Sequence, residues 1–230
     1  MAEVKLETTV NGLFFGAAKQ RWPDKPPSAI DKQRIEGTHT ISIAGFTDDA
    51  QADLTVHGGV DKAIHHYPAD HYPAWQSEGQ MEEGIEPALF GENISSLGLT
   101  EDNVCIGDVF SFGSSTIQVS QGRQPCWKLN AHTGNDRMAF LFQKSGRTGW
   151  YYRILKTGEA GAGDRLKLLD RPCEGWSVKR VTKGRLTRKI SKEDAAILAE
   201  MPELAMGWRE AFAKFAAGNR KENTAGRLGK

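Results

Sequence analysis

Most of the chain alternates between short apolar stretches and glycine-containing turns. Residues 10–15 form an apolar run, and residues 38–43 alternate polar with apolar side chains, which is the two-residue period of a half-buried strand. A Gly-Asp pair followed by the same alternation occurs in residues 106–112 and again in residues 161–169. Many short strands separated by glycine are typical of a β-barrel or a β-sandwich. The pattern therefore predicts a mainly β fold for residues 1–172.

Two short helices are predicted to interrupt the strands. Residues 67–75 contain Pro68, which fits a first helical turn, and Pro73, which makes the helix short or kinked. Residues 136–144 carry apolar side chains at helical spacing.

After Pro172 the composition changes, and helical spacing replaces the alternation. Ser191 precedes two acidic residues and fits the N-cap of a helix. A further helix is expected from Pro202, with an apolar stripe that predicts packing between helices or onto the barrel: Leu204, Trp208, Phe212 and Phe215. We therefore expect a small C-terminal helical domain over residues 173–220 and a flexible tail over residues 221–230.

Composition argues against several classes of protein. The length of 230 residues suits one large domain, or a core domain with a small appendage. No apolar run approaches the roughly 20 residues that span a bilayer, and the N-terminus lacks the basic and apolar regions of a signal peptide. The formal net charge of +1 lacks the basic excess of a nucleic-acid binder. We expect a cytoplasmic protein with no membrane or nucleic acid polymer as partner, and interpret the basic residues 179–189 and 220–230 as a solvated face and a frayed terminus.

The three cysteines point to a single reactive thiol rather than to a disulfide framework. Cys105, Cys126 and Cys173 are odd in number and widely spaced. No two of them form a CxxC pair, which argues against a structural zinc site made of thiolates. Cys105 lies between two apolar β-branched residues and is expected to be buried.

The first candidate site is the segment of residues 56–67. Its paired glycines allow backbone N–H groups to approach a ligand closely, and Lys62 adds a positive charge for an anion. Histidines can donate to a phosphate, relay protons or bind a metal. The residues selected here are His57, Gly58, Gly59, Asp61, Lys62, His65 and His66. A tight turn with surface histidines fits the same residue types equally well.

The second and third candidate sites lie further along the chain. In residues 89–94 a Gly-Glu-Asn sequence can turn the chain and present Asn93, although alone it is better explained as a turn entering a strand. In residues 121–129 a Gly-Arg turn leads to Cys126. Arg123 would favour the thiolate form of this cysteine by placing a positive charge nearby, and a thiolate is a ligand for soft or redox-active metals. The alternative is an unreactive thiol beside a packed tryptophan.

Together and in this order, the three segments resemble a MOSC domain, a module related to the C-terminal domain of molybdenum cofactor sulfurases. The resemblance extends from about Leu6 to Asp170. Residues 65–68, residues 150–153 and the C-terminal helices resemble the stand-alone bacterial members of this family, which lack a fused ferredoxin domain.

This resemblance implies a MOSC-type β-barrel that binds molybdenum cofactor (molybdopterin), with Cys126 as the single protein ligand to molybdenum. It also implies the reduction of N-hydroxylated compounds such as N-hydroxylated purine bases and amidoximes, which would serve detoxification. His65 or His66 would supply the proton that accompanies N–O cleavage. The expected cofactor contacts are His57, Gly58, Gly59, Asp61, Lys62, Asn93, Gln121 and Arg123.

Other functions stay open at this stage. Cys126 as a persulfide would make the protein a sulfur carrier or transferase, and a pterin-binding module would deliver the cofactor without turnover. A zinc hydrolase is less favoured because the histidines lack a helical i, i+4 pair with a nearby carboxylate. Since no flavin, haem or iron-sulfur motif is present, a reductase would need a separate electron-donor protein. The apolar C-terminal helices are compatible with a homodimer.

Overall fold

The computed structural model describes residues 5–52, 58–222, 224 and 227. The strands in this part of the chain are β1 (Glu7–Phe15), β2 (Gln33–Ile35), β3 (Thr38–Ser42), β4 (Gly45–Phe46), β5 (Ile64–His66), β6 (Ile94–Ser96), β7 (Val109–Phe112), β8 (Ser115–Gly122), β9 (Trp150–Lys156), β10 (Gly158–Gly161) and β11 (Arg165–Asp170). The helices are α1 (His71–Ser77), α2 (Trp127–Thr133), α3 (Met138–Ser145), α4 (Val178–Thr187), α5 (Lys192–Glu200) and α6 (Met206–Ala216). No helix of the described residues is long and apolar enough to cross a bilayer.

Seven strands close into a barrel. They follow the order β11-β7-β8-β9-β5-β6-β1, and the pairing of β1 with β11 completes the ring. Only the pair β5–β6 is parallel among the described barrel strands. Strand β2 extends the sheet beside β1, while β10, β3 and β4 form a separate sheet. Closure pairs the edges of a sheet with each other. The mainly β barrel expected from the sequence is confirmed.

The register of β5 against β9 decides which side chains face the barrel interior. His65 lies opposite Tyr151, and His66 lies opposite Trp150. Directly opposite residues share a face, and successive residues of a strand alternate between faces. Trp150 and Tyr152 belong to the barrel core. His66 therefore points inward, whereas His65 and Tyr151 point outward.

The C-terminal helices share a hydrophobic core with the barrel. One cluster of buried side chains includes Phe110 and Tyr152 of the barrel together with Leu198 and Phe212 of α5 and α6. Ser191 caps α5 by accepting a hydrogen bond from the backbone N–H of Asp194, so the predicted cap is confirmed. The predicted burial of the apolar stripe on α6 is confirmed as well.

Several helix predictions need correction. The predicted helices at residues 67–75 and from Pro202 begin a few residues later than expected, at His71 and Met206. Neither α2, which starts directly after Cys126, nor α4 was predicted. Helix α4 is capped by Ser177, whose hydroxyl accepts a hydrogen bond from the N–H of Arg180.

Candidate functional site

A pocket lies on the outer side of the barrel beside β5 and the loop that carries Cys126. It encloses about 620 Å³ of space, part of which is open solvent. Five of the residues selected from the sequence line it together: Lys62, His65, Asn93, Arg123 and Cys126. The three candidate segments are thus parts of one site.

Cys126 is held between a strand and a helix. Strand β8 ends at Gly122, and α2 begins one residue after the cysteine, which has an extended backbone. Gly122 packs so closely on α4 that an added Cβ would lie 1.9 Å from Oγ1 of Thr182. The N–H of Arg123 donates to the carbonyl of Gly149 at 3.1 Å. The cysteine is 7% exposed and lines the pocket, so a molecule bound in the pocket lies beside it.

Cationic side chains surround the cysteine. Lys62, Arg123 and Lys128 line the same pocket as Cys126. Arg123 donates a hydrogen bond to the carbonyl of Phe90. Lys128 is 6% exposed and forms no hydrogen bond or ion pair with any described residue. Because three cationic side chains line one pocket, the pocket favours an anionic ligand.

Asp49 holds together the residues of the opposite pocket wall. Its carboxylate accepts hydrogen bonds from the N–H of Gly16 at 2.8 Å and from Nδ2 of Asn93 at 2.7 Å, and it forms an ion pair with Lys32. Oδ1 of Asn93 in turn accepts from the backbone N–H of His65 at 3.0 Å. Burial lowers the pKa of Lys32, although the neighbouring Asp49 opposes this effect. Both carboxylate oxygens of Asp49 are occupied, which makes this residue part of the scaffold.

His65 has a ring nitrogen without a hydrogen-bond partner among the described residues. Its ring lines the pocket, 5.0 Å from the ring of Tyr151 between centroids. The unpartnered nitrogen is Nε2, which is buried. Burial lowers the pKa of His65 well below its ordinary value, and the nearby charge of Arg123 adds to the effect. A neutral imidazole at neutral pH with an unused nitrogen can donate to, or accept from, a bound molecule.

His66 does not line the pocket. Its Nδ1 is 3.0 Å from the hydroxyl of Tyr152, and its Nε2 is 3.0 Å from the hydroxyl of Ser96. Burial lowers the pKa of His66 to about 3. Because adjacent residues of a strand face opposite ways, the structure separates the two histidines that the sequence treated as alternatives. His66 is a partnered side chain of the barrel interior.

No group of three or more His, Cys, Asp or Glu side chains in the described ranges is arranged to hold a metal ion.

Asp61 and Gln121 were expected at the cofactor, but neither lines the pocket. Asp61 forms an ion pair with Arg153 at 2.8 Å and accepts a hydrogen bond from the N–H of Met206 at 3.3 Å. It therefore joins the turn before β5 to β9 and α6. Gln121 is buried at the end of β8, where its side-chain amide donates to the carbonyl of Gly122 at 3.2 Å.

The paired glycines contribute through the backbone. Gly59 has a φ of 92°, in the region that favours glycine, and precedes a 3₁₀ turn at Val60–Lys62. The N–H of Lys62 donates to the carbonyl of Gly59 at 2.9 Å. This turn brings Lys62 to the pocket. Gly58 is half-buried and does not line it. His57 lies outside the described residues.

Two buried carboxylates that were not selected from the sequence support the site. Glu92 accepts hydrogen bonds from the N–H groups of Ala88 and Phe90 and thereby fixes the loop before Asn93. Glu101 accepts from the N–H groups of Thr148 and Gly149, at 2.8 and 2.6 Å. The Gly-Glu-Asn motif was a signal for Glu92, while no local pattern indicated Glu101, Lys32, Asp49 or Tyr151.

The comparison with known proteins identifies the family. A model of the MOSC domain matches residues 53–167, half of the chain. Protein YiiM of Escherichia coli (strain K12) is 44% identical over 154 residues, which cover 66% of this chain and 68% of that protein. The chain belongs to the MOSC domain family. All five predicted residues that line the pocket fall inside the MOSC match.

Further relatives extend the similarity beyond the MOSC match. The crystal structure of YiiM from Escherichia coli has a TM-score of 0.79 and 29% identity, and the alignment covers 97% of this chain and 98% of that chain. The C-terminal helices are thus part of the shared structure. A protein named Reductase from Gibberella moniliformis (strain M3125 / FGSC 7600) is 38% identical over 181 residues, which cover 78% of this chain but 32% of that protein.

Proposed function

We propose that the protein binds molybdenum cofactor through Cys126 and reduces N-hydroxylated compounds, including N-hydroxylated purine bases and amidoximes. The observation that carries the proposal is the convergence of Cys126 with Lys62, Arg123 and Lys128 in one pocket of a MOSC domain. The relative named Reductase agrees with a reductive activity. A cytoplasmic location is part of the proposal.

The residues of the pocket fit the chemistry of this cofactor. Molybdopterin carries a phosphate, and the three cations Lys62, Arg123 and Lys128 offer charge-assisted hydrogen bonds to such a group. Lys128, which lines the pocket, would donate to this group. The thiolate of Cys126 is a suitable ligand for a redox-active metal. Asn93 is saturated by Asp49, Phe14 and His65, so we assign it to the pocket wall rather than to the pterin.

Each residue then has a defined task. When bound, the cofactor would supply the redox-active metal needed to reduce an N–O bond, and the difficult chemistry lies with the cofactor rather than with the side chains. Cys126 would hold the group in place from its loop. His65, neutral because of its lowered pKa, offers Nε2 to the oxygen or nitrogen of a substrate. Since His66 is outside the pocket, we propose that His65 relays the proton that accompanies N–O cleavage; because its lowered pKa keeps the ring neutral, this proton would come from solvent.

Reduction also requires partners. We propose a separate electron-donor protein and a small N-hydroxylated substrate as the partners, with no membrane and no nucleic acid polymer among them. A homodimer is also part of the proposal, but the apolar stripe of α6 that suggested it is buried within the chain and is not available as its interface.

The decisive experiment uses a host that makes molybdenum cofactor. Bound molybdenum and the fluorescence of oxidised pterin are measured in the wild type, in Cys126→Ser and in Cys105→Ser. Cys105 is the matched control, because it is also buried but lies outside the pocket. We expect metal and pterin in the wild type and in Cys105→Ser, and loss of molybdenum in Cys126→Ser. Reduction of an N-hydroxylated adenine by a viologen dye as electron source should follow the molybdenum content.

Two outcomes would favour the alternatives. A folded wild type without molybdenum, but with a persulfide on Cys126, would replace the reductase by a sulfur carrier. Bound cofactor without steady-state reduction of any N-hydroxylated compound would indicate a module that delivers the cofactor. Full activity in Cys126→Ser would contradict the central role of the cysteine.

A further inference from the structure

Arg227, near the C-terminal end of the sequence, contacts the loop that carries Cys126. Arg227 is half-buried, and its guanidinium donates to the carbonyl of Pro125, the residue directly before the cysteine. The other end of the same guanidinium is 3.4 Å from Oε1 of Gln143 on α3. Arg227 thus contacts the peptide that leads into the candidate site.

Further contacts hold the preceding part of the tail against α4. Glu222 forms an ion pair with Arg185 at 2.7 Å. Arg220 donates hydrogen bonds to the carbonyl groups of Arg188 and Ile190 at the end of α4. Arg185 is only 8% exposed, and charge-assisted contacts of a buried arginine hold geometry more firmly than exposed pairs do. The approach of Arg227 to Pro125 is therefore supported by described contacts at Arg220 and Glu222.

The guanidinium of Arg227 also interacts with neighbouring charged groups. Burial and the neighbouring charge of Arg185 lower the pKa of Arg227, while the neighbouring Cys126 and Glu222 raise it. Arg123 and Lys128 line the same pocket as the cysteine, whereas Arg227 contacts the peptide that precedes it. Pro125 has no backbone N–H, so its carbonyl is the only backbone hydrogen-bonding group that this residue offers to the tail.

We propose that Arg227 is a positioning residue for Cys126: it holds the Pro125 peptide and adds positive potential at the thiol. This inference concerns the chain itself and does not depend on the nature of the reaction. It assigns a role in the site to a residue more than fifty positions beyond the MOSC match. Loss of Arg227 loosens the loop and weakens the attraction of the cysteine for anionic reagents.

The test uses the full-length chain from a host that lacks molybdenum cofactor. The rates of alkylation of Cys126 by anionic iodoacetate and by neutral iodoacetamide are measured at one pH, with the modified peptide identified by mass spectrometry. The thiolate fraction affects both rates equally, so their ratio reports the local potential. In Arg227→Gln we expect the ratio to fall about threefold at low salt, and the difference to shrink at high salt as charges are screened.

Two further variants separate charge from geometry. Arg227→Lys keeps the charge but cannot form the same pair of contacts; we expect a ratio near the wild-type value with faster hydrogen exchange in residues 124–128. Arg220→Gln removes a tail cation that contacts α4 rather than the cysteine loop, and it should leave the ratio unchanged. The proposal is overturned if Arg227→Gln has the wild-type ratio and the wild-type exchange rates, or if Arg220→Gln lowers the ratio to the same extent.

Discussion

Lowering the pH from 7 to 5 tests whether His66 is a neutral residue of the barrel interior. Its ring is fully buried between the hydroxyl groups of Tyr152 and Ser96. Burial lowers its pKa from 6.5 to about 3. Over this window the unfolded chain binds a proton that the folded chain does not. The stability contributed by the neutral ring is therefore complete above pH 6.5 and is lost as the pH falls towards 3.

The expected magnitude follows from the pKa difference. At pH 5 the unfolded ring is mostly protonated and the folded ring is not, so the free energy of unfolding falls by about 2 kcal/mol relative to pH 7. His65 also has a lowered pKa and adds to the loss in the same direction. A whole domain has a stability of only about 5–15 kcal/mol, so the contribution of one histidine is measurable.

Urea unfolding at pH 7 and pH 5 provides the assay, with the wild type compared with His66→Gln. Glutamine can still bond to both hydroxyl groups but does not titrate. We expect the variant to lose about 2 kcal/mol less than the wild type between the two pH values. His39→Gln is the control: Asp48 raises the pKa of His39, so this variant should be no less acid-sensitive than the wild type. Equal acid losses in the wild type and His66→Gln would refute the assignment.

Three further substitutions test the site. Asp49→Asn should lower the free energy of unfolding by about 3 kcal/mol, because it removes the partner of the buried Lys32; urea unfolding measures the loss, and an unchanged midpoint would contradict the role given to Asp49. Gly122→Ala should lower the free energy of unfolding by about 1–3 kcal/mol, because the added methyl group clashes with Thr182. In the double variant, Thr182→Ala should recover part of this loss. If the losses of the two single variants simply add in the double variant, the contact is not the cause. Lys128→Met should weaken the binding of inorganic phosphate about tenfold with little change in melting temperature, as measured by calorimetry; undiminished affinity would remove Lys128 from the anion site.

Local patterns predicted the barrel well because strand alternation and helix caps are short-range signals. The runs at residues 10–15, 38–43 and 161–169 each overlap a strand of the structure, and Ser191 caps its helix. Helix α2 escaped prediction because it begins at Trp127 without a side-chain cap. Helix α4 escaped because a basic, poorly apolar segment is equally typical of a solvated surface.

Only those site residues that belong to a local sequence motif could be predicted from the sequence. Cys126, Arg123 and Asn93 stand in distinctive segments, but the Lys32–Asp49 pair joins two connections that are separated by 17 residues. No local pattern records such a contact. His65 and His66 could be distinguished only through the strand register, because their neighbours in sequence are nearly the same.

The two walls of the pocket come from different kinds of structural element. One wall should therefore keep its residues, while the residues of the other can be substituted. One wall belongs to the barrel strands and α2, while the other is made by the connections at residues 28–32 and 49–52. Connections accept substitutions and insertions more readily than strands do. A library that varies residues 29–31 and 50–52 but keeps Lys32 and Asp49 would therefore sample new substrates without moving the cysteine.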